Sequence, residues 1–275
     1  MNATEGQRPD FFDGQVLRHV EIPGLSLGEI RYPAGCARSG HVHELACFHF
    51  LYQGGYVESR GKTSSECRTF TLAFQPQGHE HSYRSSGGAS KSFTVELQDS
   101  WVANLRDYSL RLDQPGYFRG GSISWLMGKL YREFLLLDSA SSLVIEALTM
   151  ELTVEVSRRG EQLADDRGPL WLRQVRDLIH ERFAEPLSLR DLGQSVGVHP
   201  VHLARVFRRH YRATVGEYLR QLRVEFAGQQ IAHSQSTLAE IALAAGFSDQ
   251  SQFTNTFKRA TGLTPAQFRA QVRGR

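Results

Sequence analysis

Apolar residues recur with different rhythms along the chain. Between residues 15 and 98 they come in short runs (LSLGEI, ACFHFLYQ, RTFTLAFQ, SFTVEL) set apart by clusters of Gly, Ser and Pro. Helical spacing is absent there, so the pattern predicts a small all-β barrel or sandwich. The spacing then changes. Leu126, Leu130, Phe134 and Leu137 make one helical stripe, and Val144, Leu148, Leu152 and Val156 make another, which predicts a helical hairpin. The polar stretch 158–169, RRGEQLADDRGP, reads as a linker.

Beyond the linker the chain repeats itself. The stretch 188–220 can be laid on 237–269: Leu189, Leu192 and Gly197 fall on Leu238, Ile241 and Gly246, and Leu203, Phe207, Arg208 and Tyr218 on Phe253, Phe257, Lys258 and Phe268. Each copy reads as a short helix, a turn at glycine and a second helix, which is the pattern of a helix-turn-helix. Leu203, Val206 and Phe207 form the buried stripe of the first copy's second helix and leave Arg205, Arg208 and Arg209 on other faces. Pro200 suits the first turn of that helix, and Ser248 or Asp249 suits the cap of its counterpart. Residues 216–233 predict a long connecting helix with Tyr218, Leu219, Leu222, Phe226 and Ile231 as its apolar positions.

Composition narrows the class. With 275 residues, 40% hydrophobic and 22% charged, the chain is long enough for two domains and is neither disordered, collagen-like nor a disulfide scaffold. Cys36, Cys47 and Cys67 are odd in number and lack CxxC spacing, which suits a reducing compartment. No apolar run reaches the roughly 18 residues of a membrane span, and MNATEGQRPD lacks the features of a secretory signal, so the expected location is the cytoplasm. The net charge of +3 conceals an asymmetry: residues 170–275 hold 15 Lys+Arg against 8 Asp+Glu, whereas the remainder is net acidic. A basic half beside an acidic one points to nucleic acid or a membrane surface, and with helix-turn-helix units the expected partner is double-stranded DNA.

The stretch IALAAGFSDQSQFTNTFKRATGLTPAQFR resembles the signature of AraC-type transcription regulators: an alanine-rich helix, Gly-Phe, a Phe ahead of Phe-Lys, then Gly, Thr-Pro and an aromatic-Arg ending. The first copy departs from it at His199, where the family usually has a capping serine, and at Arg212, where it usually has glycine. Carried over by position, the resemblance implies base-reading side chains at Val201, His202, Ala204 and Arg205, with Arg208 and Arg209 toward phosphate. In the second copy the matching places are Gln250, Ser251, Thr254 and Asn255, with Lys258 toward phosphate. Arg suits guanine O6 and N7, and Gln or Asn suits adenine N6 and N7.

The β-rich half carries a second resemblance. Gly35, His41-Val42-His43, Cys47 and Gly54 follow the spacing of the first cupin motif, with Cys47 in place of glutamate. Pro76, Gly78 and His81 follow the second, with Phe70 where it opens on glycine and Ser85 where it closes on asparagine. Strand alternation would put His41, His43, Leu45, Cys47 and His49 on one face, and His79 with His81 on another strand's face. The resemblance implies metal ligands at His41, His43, Cys47 and His81. Imidazole and thiolate suit zinc, imidazole alone also suits iron or copper, and the same residues are equally readable as the lining of an organic-effector pocket.

The expected architecture is therefore α+β: a cupin-like sensor barrel over 1–121, a hairpin over 122–158 used for homodimerisation, a linker over 159–168, and an all-α double helix-turn-helix domain over 169–275. The expected function is a ligand-responsive, sequence-specific DNA-binding regulator of transcription that binds a small-molecule effector and is not an enzyme. The alternative is a cupin metalloenzyme, a dioxygenase or isomerase, with a helical appendage.

Overall fold

The computed structural model describes residues 14–105, 107–119, 121–163, 169–211 and 213–272. Half of the expected linker (164–168) and Arg212 lie outside them, and residues 159–163 of that linker continue helix. Among the described residues the chain is α+β and divides into two compact units, 1–117 and 118–275. The hairpin thus groups with the C-terminal helices.

The first unit contains β1 (Gln15–Ile22), β2 (Leu25–Tyr32), β3 (Ala37–His41), β4 (Ala46–Gln53), β5 (Gly55–Arg60), β6 (Thr63–Arg68), β7 (Thr71–Gln75), β8 (His81–Ser85), β9 (Ser90–Leu97) and the short helix α1 (Asp99–Ala103). Strand β10 (Gly116–Arg119) carries the boundary between units. The strands form a six-stranded sheet, β1-β2-β9-β4-β7-β10, and a four-stranded sheet, β3-β8-β5-β6. The expected barrel is corrected here: the two sheets are not joined by hydrogen bonds into a closed cylinder.

All four apolar runs of this region lie in strands. Strands β4 and β9 are central and buried on both faces, which is why ACFHFLYQ and SFTVEL read as continuous runs, while the edge strands β1 and β6 are largely exposed. RTFTLAFQ is split between β6 and β7 at Phe70, which takes a left-handed φ of 67°. Gly54, with φ 81°, has backbone and Ser90 within 3 Å of where a Cβ would stand, so only glycine passes there.

The second unit is helical: α2 (Gly121–Leu136), α3 (Ser141–Leu163), α4 (Leu170–Arg182), α5 (Leu189–Ser195), α6 (Pro200–Tyr211), α7 (Val215–His233), α8 (Leu238–Ala244), α9 (Gln250–Thr261) and α10 (Pro265–Val272). The helices α2 and α3 form the expected hairpin. Leu126, Leu130 and Phe134 of one and Leu148, Leu152 and Val156 of the other are buried within this unit, which leaves neither stripe open as a face. Leu172, Val175 and Ile179 of α4 close a core with Leu192, Leu203, Phe207, Val215 and Leu219. In the middle of the unit, α7 meets α6, α8, α9 and α10. It therefore buries Val224 and Ala227 besides Leu219 and Ile231.

Candidate nucleic-acid interface and histidine pocket

The repeat seen in the sequence is a repeat in space. Helices α5 and α8 are both seven residues long and offset by 49, and α6 and α9 are both twelve and offset by 50. The short helices open on capping boxes, Ser188 with Asp191 and Thr237 with Glu240, each satisfying otherwise unpaired N–H groups of the first turn. Gly197 and Gly246 then turn the chain at φ 67° and 82°. Gly246 also faces the Ala184 backbone, whose oxygen would meet an added Cβ.

The second helix of each copy starts differently. Asp249 caps α9 by accepting from the Gln252 N–H, and Ser248 donates its hydroxyl to the Asp249 carboxylate. At α6 the His199 ring takes that place, its Nδ1 accepting from the Val201 N–H at a long 3.4 Å. From Val201 and from Ser251 the exposure of the two helices then matches position by position for ten residues. Val201, His202, Arg205, Arg208 and Arg209 are exposed around buried Leu203 and Phe207. Fifty residues on, Ser251, Gln252, Asn255, Lys258 and Arg259 are exposed around buried Phe253 and Phe257, with Gln250 exposed at the helix start. Ala204 and Thr254 are half-buried at equivalent places.

Of the residues expected to read or anchor DNA, all but Ala204 and Thr254 are thus fully presented to solvent. His202 is held between Trp171, 5.9 Å away ring to ring, and Arg205, whose Nη2 is 3.3 Å from its Nδ1. Arg205, Arg208 and Arg209 line a groove that runs to Thr214 and Gly216 at the start of α7. Such a cationic groove is electrostatically suited to a phosphate backbone. Sequence reasoning passed over Arg259, which follows Lys258 as Arg209 follows Arg208; the offset of 50 would have found it.

In the first unit three of the four expected metal ligands meet. His41 and His81 are register partners across β3 and β8, with ring centroids 4.3 Å apart. His43 lies beyond the end of β3 and stacks on His81, the two Nε2 atoms 3.4 Å apart. The candidate donor nitrogens of all three lie within 4.8 Å of one another. The 3.4 Å between the His43 and His81 nitrogens is the spacing of two ligands on one tetrahedral ion, whose nitrogens lie about 2.0–2.1 Å from it, and a small ring movement would bring the third donor to the same distance. The Nδ1 atoms of His41 and His81 face the carbonyls of Ser39 and His79 at 3.2 and 3.5 Å, an arrangement that leaves Nε2 as the donor.

Cys47 is the correction. Its sulfur is not in this group, because the chain leaves strand geometry from Val42 to Leu45, and the alternation expected from His41 through Cys47 is broken there. His79 likewise precedes β8 rather than sharing it with His81. Cys47 is completely buried, and burial, followed by Glu96 and Glu58, raises its thiol well above the ordinary range. It behaves as a small apolar side chain.

Beside the triad is a chamber lined by Tyr32, His49, Tyr56, Glu58, His81 and Tyr83, among others. Glu58 accepts from Arg60 Nη2 at 2.7 Å and from Gln75 Nε2 at 2.9 and 3.0 Å, and Arg60 lies 5.0 Å over the Tyr117 ring. Burial, then the neighbouring histidines, pushes His43 down to about 3, and burial and His81 push His49 down to about 3. His81 is also lowered by burial, against the pull of Glu58. These imidazoles are therefore neutral at physiological pH.

Residues 192–271 match the family model of a helix-turn-helix domain. A bifunctional transcriptional activator/DNA repair enzyme of Bacillus subtilis, AdaA, is 31% identical over 99 residues, 36% of this chain and 47% of that protein. The uncharacterized HTH-type transcriptional regulator YpdC of Escherichia coli is 28% identical over 182 residues, 66% of this chain and 63% of its own length. Among solved structures, a transcriptional regulator with an AraC-type DNA-binding domain from Chromobacterium violaceum is 30% identical, covering 37% of this chain and 91% of that one, with a TM-score of 0.36. The chain spans less than half the length of the first two curated relatives it matches. Among the described residues no helix is long and apolar enough to cross a membrane. With a duplicated helix-turn-helix in space and the family model matched over residues 192–271, the C-terminal part of this chain is a helix-turn-helix domain.

Proposed function

We propose that the chain is a sequence-specific regulator of transcription that acts in the cytoplasm, reads DNA with α6 and α9, and responds to a small molecule held in the first unit. The observation that carries this reading is the identical exposure pattern of residues 201–210 in α6 and 251–260 in α9. Helix α7, 19 residues and so about 28 Å long, joins the two copies on a scale near the ~34 Å of one DNA turn. Two recognition helices so joined suit successive major grooves, α6 the more cationic and α9 the richer in amides. The chamber beside His81 is the effector site, with the histidines as its neutral lining, and effector binding favours one arrangement of the protein over another. This reading assigns no catalytic residue. A second copy pairs through the turn of the hairpin, where Leu136 and Leu143 are 67% and 71% exposed.

The test is selection of bound genomic fragments by the full chain, followed by titration of one selected fragment against a scrambled duplex. Preference for the selected fragment by at least about 10³-fold, with affinity falling steeply as salt rises, supports the reading. Equal affinity for both duplexes at moderate salt refutes it.

The 3.4 Å approach of His43 to His81 favours a second reading of the same pocket, a metal held by His41, His43 and His81. Such an ion would supply an open coordination position, since three protein ligands leave the fourth free. Metal analysis of tag-free protein decides: zinc near one per chain, lost in His81→Ala and kept in Cys47→Ser, establishes this second reading, and absence of metal after reconstitution removes it.

A further inference from the structure

The chamber walls form a closed circuit of aromatic rings. Tyr32 and His49 are 6.1 Å apart between centroids, His49 and Tyr56 5.8 Å, Tyr56 and Tyr83 6.1 Å, and Tyr83 and Tyr32 6.1 Å. The successive ring planes meet at 59°, 76°, 68° and 74°. The walls of a box meet near right angles, and a square of that side has its centre about 4 Å from each centroid, within the roughly 6 Å over which an aromatic face attracts a cation. We propose that this box of Tyr32, His49, Tyr56 and Tyr83 binds a small methylated ammonium cation, an assignment that rests on the effector reading above.

The charges around the box select for that class. Glu58 is the charged side chain among the lining residues, and its carboxylate is 1% exposed. No lysine or arginine is among the described lining residues, so no positive side chain there offsets the charge of a carboxylate or phosphate ligand. Arg60 stands behind Glu58, held to it and to Gln75 Oε1 at 2.7 Å, and is engaged with those partners. A trimethylated or quaternary ammonium has one N–H or none to satisfy, and therefore suits walls that offer ring faces rather than an array of acceptors.

The test is calorimetric titration of the full chain with choline and tetramethylammonium, against 3,3-dimethylbutan-1-ol, the uncharged shape of choline, and benzoate. Choline is expected to bind at least about tenfold more tightly than the alcohol, with Tyr56→Leu and Tyr83→Leu each weakening it about fivefold or more and Tyr83→Phe leaving it within about twofold. Equal binding of choline and the alcohol overturns the proposal, as does binding of benzoate in preference to both. Wild-type protein that binds neither cation overturns it too. So does protein that retains zinc at the triad and excludes choline, because a dication beside the box repels one. The same probes added to the selected DNA fragment separate the two readings: if the alcohol or benzoate alters DNA affinity and the cations do not, the protein is still a sensor and the cation class is wrong.

Discussion

Phe70 occupies a left-handed conformation that costs a non-glycine residue about 1–2 kcal/mol. Its ring is 4% exposed and packs 6.1 Å from that of Phe50. Burying a phenylalanine is worth about 3–5 kcal/mol by comparison, so packing outweighs strain. Phe70→Gly is therefore expected to destabilise the protein by about 1–4 kcal/mol in urea melts, although it restores the residue that the cupin-like motif has at this place. Position 70 was legible in the sequence as a departure from a motif, and the structure gives the departure its φ. The recognition helices offer a second residue-scale contrast. Arg205→Ala is expected to cost about 1–3 kcal/mol on the selected DNA and to relax preference at one base pair, whereas Lys258→Ala weakens all duplexes alike and flattens the salt slope. Binding to a panel of single-base variants at two salt concentrations distinguishes the roles, and loss without change of preference in both would reverse the assignment.

At the scale of elements, α2 is seated on the end of α9. A Cβ on Gly128 would stand 2.8 Å from the Ala260 oxygen and 2.9 Å from Thr261 Cα, and one on Gly262, the left-handed cap of α9, would stand 2.7 Å from the Gly128 oxygen. The contact is backbone on backbone, so Gly128→Ala is expected to lower stability by about 1–3 kcal/mol in urea melts and to weaken DNA binding, with Gly160→Ala in α3, where an added Cβ meets open space, as the control that does neither. The hairpin also separates core from surface. Leu148→Glu buries a charge inside the unit and is expected to unfold it, whereas Leu143→Glu is expected to leave melting unchanged and to reduce the sedimenting mass to that of one chain. The helices were legible because their signals are local: caps, a glycine turn and a 3.6-residue stripe all lie within a few residues. Sheet order was not, since the pairing of β9 with both β2 and β4 joins segments distant in sequence. Nor was the bend from Val42 to Leu45 that brings His43 to His81 and leaves Cys47 aside; strict alternation was the wrong rule for a broken strand.

At the scale of the whole molecule, one buried group in each unit responds to pH with opposite sign: His49 in the first and Glu225 in the second. His49, held at about 3 when folded and near 6.5 when unfolded, takes up its proton in the unfolded chain first. Its contribution is complete above about pH 6.5 and is lost below it, at up to about 1.4 kcal/mol per pH unit. Glu225, pushed up to about 7 by burial against the opposing effect of Arg119, does the reverse. Its folded form prefers the proton, so the second unit loses about 1–3 kcal/mol as pH rises from about 4.5 to 7 and nothing further above that. Trp101 lies in the first unit and Trp125 and Trp171 in the second, so single-tryptophan variants can follow each unit separately through urea melts between pH 5 and 8. Parallel shifts of both transitions would contradict the assignment, and Glu225→Gln is expected to flatten the second alone.

The seating of Gly128 on α9 also decides where this chain can be cut and rejoined. A chimaera that joins a foreign sensor at Pro169, the start suggested by the repeat, discards α2 and leaves the end of α9 bare. One joined at Phe118 keeps the compact unit whole. The portable part of this chain is therefore larger than its two helix-turn-helix units, and any domain grafted onto it inherits the hairpin as its point of attachment.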